Sequence, residues 1–589
     1  MSVRILLGYL ARYRARYAAG FALLLATTLC ALAIPWVIKL TVEAMGSAAG
    51  AGAGRSARSA VSGGALAIVG LALLQGVVRS ASRFALLGAS QRVEADIRND
   101  LFRRLVVLPP AFYQGQRTGD LMSRATNDLQ SVAQLVGFGF LSLVSTSMIL
   151  LGTLAAMLRI DPWLTAAALG PVPVLILVAK RWTARVHAQS LAVQEQLARL
   201  STKVQENLSG MAVVRAYTME AGEVQAFRGL NDEHLTRTLT LAWSQATYAP
   251  LLGFIGGLGT LIVLWLGGKG VVDGRITLGD FIAFSSYLAY LAWPILALGW
   301  VLALVRRGLS ALERVVELLR AEPAPGEEAA GGSPAPMPVS GEVRFDGLTF
   351  GYGEGRAPAL RDVSLRIPAG ASVALVGPTG AGKSTLGALV PRLWEPPRGT
   401  VFVGGRDVRD IPLAELRRAI GFVPQETFLF SRSLAANVAL AAPGVADARL
   451  EWAGRVAGLA GDVARLPEGW ATIVGERGLT LSGGQRQRVA LARALLADPR
   501  ILILDDAFAS VDAETEAAIL GELREALRGR TTLLITHRLR AARLADRVIV
   551  LDEGRVVEQG SHAELLGRGG LYARLWQRQQ LESALAARS

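Results

Sequence analysis

The sequence predicts a helical membrane domain of six spans followed by a soluble α/β domain built around a phosphate-binding loop. Three observations carry this. Hydrophobic residues make up 51% of the chain and charged residues 19%, with a mean hydropathy of +0.37, which is too apolar for an ordinary soluble protein. Six long stretches without a charged side chain all lie before residue 306. A Gly-rich loop, Gly377-Pro378-Thr379-Gly380-Ala381-Gly382-Lys383-Ser384-Thr385, follows the strand-like run Val373-Ala374-Leu375-Val376. With 589 residues there is room for two or three domains.

The uncharged stretches are 18–38, 61–78, 129–158, 162–179, 238–268 and 281–305. A helix needs ~20 such residues to cross the hydrocarbon core. One short stretch is also compatible with a buried soluble helix; six in series read as spans. Arg4, Arg12, Arg14 and Arg16 precede the first with no acid among them. The segments after the second and fourth spans are long and Arg-rich, and those after the first, third and fifth are shorter and poorer in Arg. The positive-inside rule then places both termini in the cytoplasm. The first span is too long and bulky for a cleaved signal. The net charge of +14 is accounted for by juxtamembrane arginines beside anionic lipid, so nucleic acid is not an expected partner. The single cysteine, Cys30, lies within the first span, so no intrachain disulfide forms.

Composition changes after Arg320. Residues 321–340 read AEPAPGEEAAGGSPAPMPVS, a linker without periodicity. The expected organisation is a membrane domain over 1–320, the linker, and an α/β domain over 341–589. Residues 46–64 form another small-residue tract, expected to be an external loop. Two segments between spans stand out: 112–121 leading into 123–128, and 205–210 followed by 213–217. Span, segment and span together make rods of ~40 residues, or ~60 Å at 1.5 Å per residue, with a turn at the tip.

The Gly-rich loop matches G-x-x-x-x-G-K-[ST] in its required context, after a strand and opening a helix. Its glycines let backbone N–H groups close around phosphate oxygens, and the helix N-terminus favours the anion. Lys383 is placed to reach the β- and γ-phosphates of a nucleotide and Ser384 to ligate Mg²⁺. The apolar run Ile501-Leu502-Ile503-Leu504 ending in Asp505 reads as a buried strand carrying a Mg²⁺-binding carboxylate to its tip. ATP and Mg²⁺ are therefore the expected cofactors.

Leu481-Ser482-Gly483-Gly484-Gln485-Arg486-Gln487-Arg488 lies upstream of that strand and resembles the signature sequence of ABC transporter ATPases. Further elements occur in that family's order. Tyr352 sits where an aromatic residue stacks on adenine. Gln425, in Phe422-Val423-Pro424-Gln425, resembles the Q-loop that joins the metal and catalytic set. Gly475-Glu476-Arg477-Gly478 resembles the exporter stretch before the signature. Ala509-Ser510-Val511-Asp512 resembles the D-loop, and His537 resembles the switch histidine. Six spans followed by one ATPase domain is the layout of an ABC exporter half-transporter, and the segments at 112–121 and 205–217 are similar to its coupling helices.

This resemblance implies two ATPase domains closing head to tail on two ATP molecules. Ser482, Gly483, Gly484 and Gln485 of this chain then serve the partner's nucleotide. Lys383, Ser384, Gln425, Asp505 and His537 hold its own. The family usually has Glu after the strand-end Asp, as the base acting on the attacking water; here Asp506 is one methylene shorter. The segment 505–512 resembles the weak-site half of heterodimeric bacterial exporters. The expected function is ATP-driven export of amphipathic small molecules, lipids or peptides across the cytoplasmic membrane, beside a second half-transporter. The alternatives are a homodimeric exporter with two slow sites and an ATP-gated regulator that moves nothing. The spans lack Asp, Glu, Lys and Arg, so a compact ion has no charge partner there. Gln75, Tyr248, Tyr287, Tyr290, Trp293 and Trp300 are candidates to line a cavity for an amphipathic substrate.

Overall fold

The computed structural model describes residues 2–50, 54–323, 340–353, 355, 357–475 and 478–586. The chain separates into two compact units, one of residues 1–103 and 119–320, the other of residues 104–118 and 321–589.

The first unit is helical. Among the described residues five helices are long and apolar enough to cross a membrane: Arg14–Ser47, Arg58–Val107, Thr118–Ile160, Pro162–Ser209 and Glu220–Val272. The expected sixth span lies within the 43-residue helix Leu278–Arg320, whose described residues are apolar over Leu278–Leu291. Gly54–Val107 alone runs 54 residues, about 80 Å at 1.5 Å per residue. The tract at 46–64 departs from the expected loop. Helix continues to Gly50 and resumes at Gly54, because its many alanines offset the glycines; residues 51–53 lie outside the described residues.

Charged groups tie the ends of these helices together. In the π-helical turn Arg124–Asp128, Asp128 accepts from both Nε and Nη2 of Arg314, at 2.7 and 2.6 Å. One turn away Arg124 donates to Glu317 at 2.8 Å. Both partners lie on the helix Leu278–Arg320, so a two-rung ion pair fixes its register. Tyr9 donates to Asp100 at 2.8 Å and Tyr13 to Asp96 at 3.1 Å, holding the N-terminal segment on the second span's extension.

Among the described residues of the second unit ten strands form two sheets. An antiparallel sheet has the order β2-β1-β4-β5, with β1 Val343–Phe350, β2 Leu360–Ile367, β4 Val401–Val403 and β5 Arg406–Asp407. A six-stranded sheet has the order β10-β9-β3-β8-β7-β6. It is built from β3 Ser372–Val376, β6 Ile420–Val423, β7 Ile501–Asp505, β8 Thr531–Ile535, β9 Arg547–Asp552 and β10 Arg555–Gly560. All its pairings are parallel except β9 with β10. β7 and β8 are buried along their whole length, so β7 reads as a continuous apolar run up to Asp505 rather than an alternating one, while β8 opens on two buried threonines. Residues 104–118, which hold the short helix Pro110–Gln114, group with this unit. The second inter-span segment forms the helix Met211–Ala216, with no buried residue. The linker is outside the described residues from 324 to 339.

Candidate nucleotide site

Parallel strands place their ligand-bearing loops beyond their carboxyl ends. Strands β3, β8 and β7 are adjacent, so the loops after them converge. After β3 the chain turns through Gly377, Gly380 and Gly382, all with φ between 83 and 150°, a region L side chains avoid. A Cβ on Gly377 would meet the Leu551 carbonyl oxygen at 2.0 Å, so only glycine lets the loop lie against β9. The loop opens the helix Lys383–Leu389.

Lys383 is only 5% exposed. Its ammonium donates to the carbonyl oxygens of Gly377 and Pro378, at 2.9 and 2.7 Å, so a buried cation is held by neutral carbonyls inside the loop. Burial pulls its pKa down, while Asp506 and Asp505 oppose that shift. Ser384 Oγ donates to Asp505 Oδ1 at 2.9 Å. Two hard oxygen donors side by side suit Mg²⁺. Burial pushes the Asp505 carboxyl up to about 6, with the charge of Asp506 adding to this and the Ser384 hydrogen bond and Lys383 opposing it.

Asp506 is 9% exposed and has φ 49°, a left-handed conformation that Asp tolerates better than most residues. The cause is positional: its N–H donates to the Ile535 carbonyl at 2.8 Å, one step past the Asp505–Ile535 ladder pair. Its carboxylate makes no hydrogen bond or ion pair among the described residues. His537 follows two residues after Ile535. Partial burial lowers its pKa, Lys383 lowers it further and Asp506 opposes, which favours the neutral imidazole. Gln425 follows β6 by two residues, beyond the Val423–Leu504 pair, and its side chain is exposed.

Tyr352 donates to Thr385 Oγ1 at 2.8 Å and packs edge-on against Phe350 and Trp394, at 5.3 and 4.7 Å between ring centroids. An aromatic wall therefore stands beside the phosphate-loop helix, with Trp394 as a member that sequence reasoning did not single out. Pro378, Thr379 and Ala381 complete the loop.

The signature residues open a separate helix, Gly483–Leu496. Ser482 caps the helix Gly483–Leu496 through a capping box: its Oγ accepts from Gln485 N at 3.2 Å, and its own N–H donates to Gln485 Oε1 at 2.9 Å. Gln485 Nε2 donates to Asp462 at 3.0 Å, which fixes which end of the amide faces the cap. The Gln485 side chain is thus engaged within the chain, whereas Ser482 is exposed. Gly484 has no room for a side chain, since a Cβ would meet the Ser510 carbonyl oxygen at 2.7 Å. Gln487 accepts from Ser510 N at 2.9 Å, binding the signature helix to the segment after Asp506. The Asp512 carboxylate caps the helix Ala513–Ala526 through Thr515 N at 2.9 Å. Residues 476–477 of the exporter-like stretch lie outside the described residues. Of the cavity candidates, Tyr287 is a core residue: it is buried and donates to the Leu32 carbonyl at 2.7 Å.

The family model described as ABC transporter transmembrane region matches residues 17–295, and the ABC transporter model matches residues 360–509. The chain is 36% identical over 500 residues to the probable multidrug resistance ABC transporter ATP-binding/permease protein YheI of Bacillus subtilis (strain 168), covering 85% of each chain. It is 35% identical over 517 residues to the ATP-dependent lipid A-core flippase of Syntrophus aciditrophicus (strain SB), covering 87% of this chain and 85% of that one. The structure of a bacterial Atm1-family ABC exporter with ATP bound superposes with a TM-score of 0.75 at 29% identity, covering 97% of this chain and 99% of that one. A buried phosphate loop, a strand-end carboxylate and a capped signature helix, joined to a helical membrane unit and matched along nearly the whole chain, place this protein in the ABC transporter family, as an exporter half-transporter that couples ATP hydrolysis to export.

Proposed function

We propose that this chain is the weak-site half of a heterodimeric exporter of amphipathic molecules in the cytoplasmic membrane, with both termini and the ATPase domain in the cytoplasm. Lys383 and the loop N–H groups hold the triphosphate, Ser384, Asp505 and Gln425 hold Mg²⁺, and Tyr352 meets the adenine. When bound, Mg²⁺ neutralises charge developing on the transferred phosphoryl group. Ser482, Gly483 and Gly484 complete the partner's site.

The observation that carries this reading is Asp506 beside an intact signature. The shorter side chain draws the carboxylate back by on the order of 1 Å, and a misplacement of that size costs ~10²-fold in rate. Nothing in the surroundings pulls it forward, since the carboxylate has no hydrogen-bond partner among the described residues. ATP binding rests on other groups and is retained. Turnover then falls to a site that borrows Ser482 and Gly484 from this chain and supplies a Glu of its own.

The purified complex tests this. Asp506→Ala lowers steady-state ATPase only mildly, removal of the partner's Glu nearly abolishes it, and Ser482→Ala here impairs it. A chain that purifies alone as a homodimer, with brisk ATPase that Asp506→Ala destroys, makes Asp506 a working base and overturns the heterodimer.

A further inference from the structure

A cavity of about 60 Å³ lies among the helices Arg14–Gly50, Gly54–Val107 and Phe140–Ile160 of the membrane unit. At ~15 Å³ per water-sized site this is room for about four waters, or for one tetrahedral anion. Its polar lining comes largely from one stripe. Gln75, Arg79 and Arg83 are four residues apart in series on a single helix, so they share a face. Ser145 adds a hydroxyl from the facing helix. No carboxylate among the described residues lines the cavity. Among the described residues neither guanidinium has an ion-pair or hydrogen-bond partner, and neither do Gln75 and Ser145.

The other hydroxyls of the lining are already committed. Thr27 and Thr28 donate to the carbonyls of Leu23 and Leu24, at 2.8 and 3.0 Å, and Ser82 donates to the Gly20 carbonyl at 3.0 Å. The free hydrogen-bonding capacity of the niche is therefore two guanidiniums, which only donate, together with the Gln75 amide and the Ser145 hydroxyl, which can donate or accept. Unpaired cations at a membrane depth are costly unless something of opposite charge meets them. Ordinary interfacial arginines reach outward to the headgroups; these two also border an enclosed polar space between three helices. Both remain exposed on their outer side, which leaves the niche open along the arginine edge. Arg79 directly follows the uncharged stretch 61–78, at the inner end of that span in the orientation proposed above.

We propose that this niche receives the anionic headgroup, phosphate or carboxylate, of the transported amphiphile while its apolar chain still lies in the inner leaflet. The inference rests on the export reading and narrows its substrate class from amphipathic to anionic amphiphilic. Gln75 and Ser145 orient the headgroup, and the paired guanidiniums supply the charge and the forked geometry suited to oxyanions.

The test uses the full-length complex in phosphatidylcholine nanodiscs, with dodecyl phosphate as the probe. Wild type binds dodecyl phosphate and not dodecyltrimethylammonium. The double variant Arg79→Gln/Arg83→Gln weakens binding by roughly tenfold per arginine, while Arg79→Lys/Arg83→Lys, which keeps the charge but not the fork, weakens it less and controls for folding. Unchanged affinity in the Gln pair overturns the site. Equal competition by inorganic phosphate makes it a free-anion site and overturns the amphiphile. In vesicles, ATP releases the probe to the far side in wild type; a probe retained through turnover marks a resident lipid and overturns the substrate assignment. Binding without nucleotide does not depend on Asp506, so failure of the heterodimer reading leaves this result distinct.

Discussion

Arg538 donates through Nη1 to the Val511 carbonyl oxygen at 2.7 Å. Its Nη2 reaches the Ala509 carbonyl at 2.9 Å, and Nη1 also pairs with the buried Glu516 carboxylate. Arg538 directly follows His537, so one guanidinium fastens the segment proposed to read this chain's own γ-phosphate to the segment 509–512. Arg538→Lys removes the fork, since an ammonium cannot serve both carbonyls and the carboxylate in one geometry. The expected outcome is unchanged nucleotide affinity at this chain's own site with kcat of the complex reduced by roughly tenfold, a modest misplacement cost. Arg538→Ala leaves Glu516 buried without its partner and destabilises the domain by about 3 kcal/mol. Fluorescent ATP titration beside steady-state ATPase separates the two effects; a lysine variant with normal turnover refutes the coupling role.

Asp506→Glu restores the methylene and moves the carboxylate forward. Hydrolysis at this chain's own site should rise by up to ~10²-fold, the same misplacement argument run backwards. Because Asp506 has φ 49°, the substitution also costs a few tenths of a kcal/mol in stability, Asp being better tolerated there than Glu. The measurement is single-turnover hydrolysis in a complex whose partner has lost its own Glu. A rate no higher than that of the parent shows that the strand-end geometry, not side-chain length, sets the weakness.

Much of this was legible in the sequence because it rests on local pattern. Uncharged runs of spanning length mark the membrane helices, and β7 announces itself as an apolar run closed by Asp505. The loop at 377–385 reads directly because its glycines are required by backbone geometry. What stayed hidden depends on contacts between distant segments. Arg538 and Gln487 bear no local mark of what they hold, and Gln485 gives no sign that Asp462 occupies its amide. The tract at 46–64 misled because glycine content signals a loop, while its alanines sustain helix to Gly50. Tyr287 reads from sequence as a cavity residue because an aromatic hydroxyl in a span suggests a ligand contact; only the fold shows that the Leu32 carbonyl satisfies it.

Asp505 carries a conflict between stability and function. Burial raises its pKa to about 6, so at pH 7 the ionised form is held at a cost, about 2–3 kcal/mol from the shift alone. A carboxyl raised in the folded state contributes most below its unfolded pKa, and the contribution is lost as pH rises through the folded value. Asp505→Asn removes the penalty and keeps an oxygen to accept from Ser384. Nucleotide-free protein carrying it should therefore melt at a higher temperature than wild type at pH 7.5, while Mg²⁺-dependent protection by ATP is lost. A lower melting temperature for the variant at that pH contradicts the burial argument.

The last prediction concerns pH and His562. Its Nδ1 lies 2.7 Å from the Tyr572 hydroxyl, and its ring packs edge-on against Trp576 at 4.8 Å. Burial lowers its pKa, and Arg543 adds to the shift. It also opens the helix His562–Gly567, an end where the dipole disfavours a cation. With the folded pKa below the unfolded value of about 6.5, the unfolded chain takes up the proton first. Its contribution to stability is full above the unfolded pKa and is lost as pH falls through the folded one. Asp505 titrates in the opposite sense near pH 6, so wild-type melting alone does not isolate His562. The informative quantity is the gap between wild type and His562→Gln. At pH 7.5 the variant should be the less stable, having lost the packed ring against Trp576 and Tyr572. As pH falls toward 5.5 the gap should narrow, because only in wild type does unfolding free a histidine that takes up a proton. Thermal melts of the two proteins in detergent across this range give the gap directly, and a gap that widens on acidification refutes the depressed pKa.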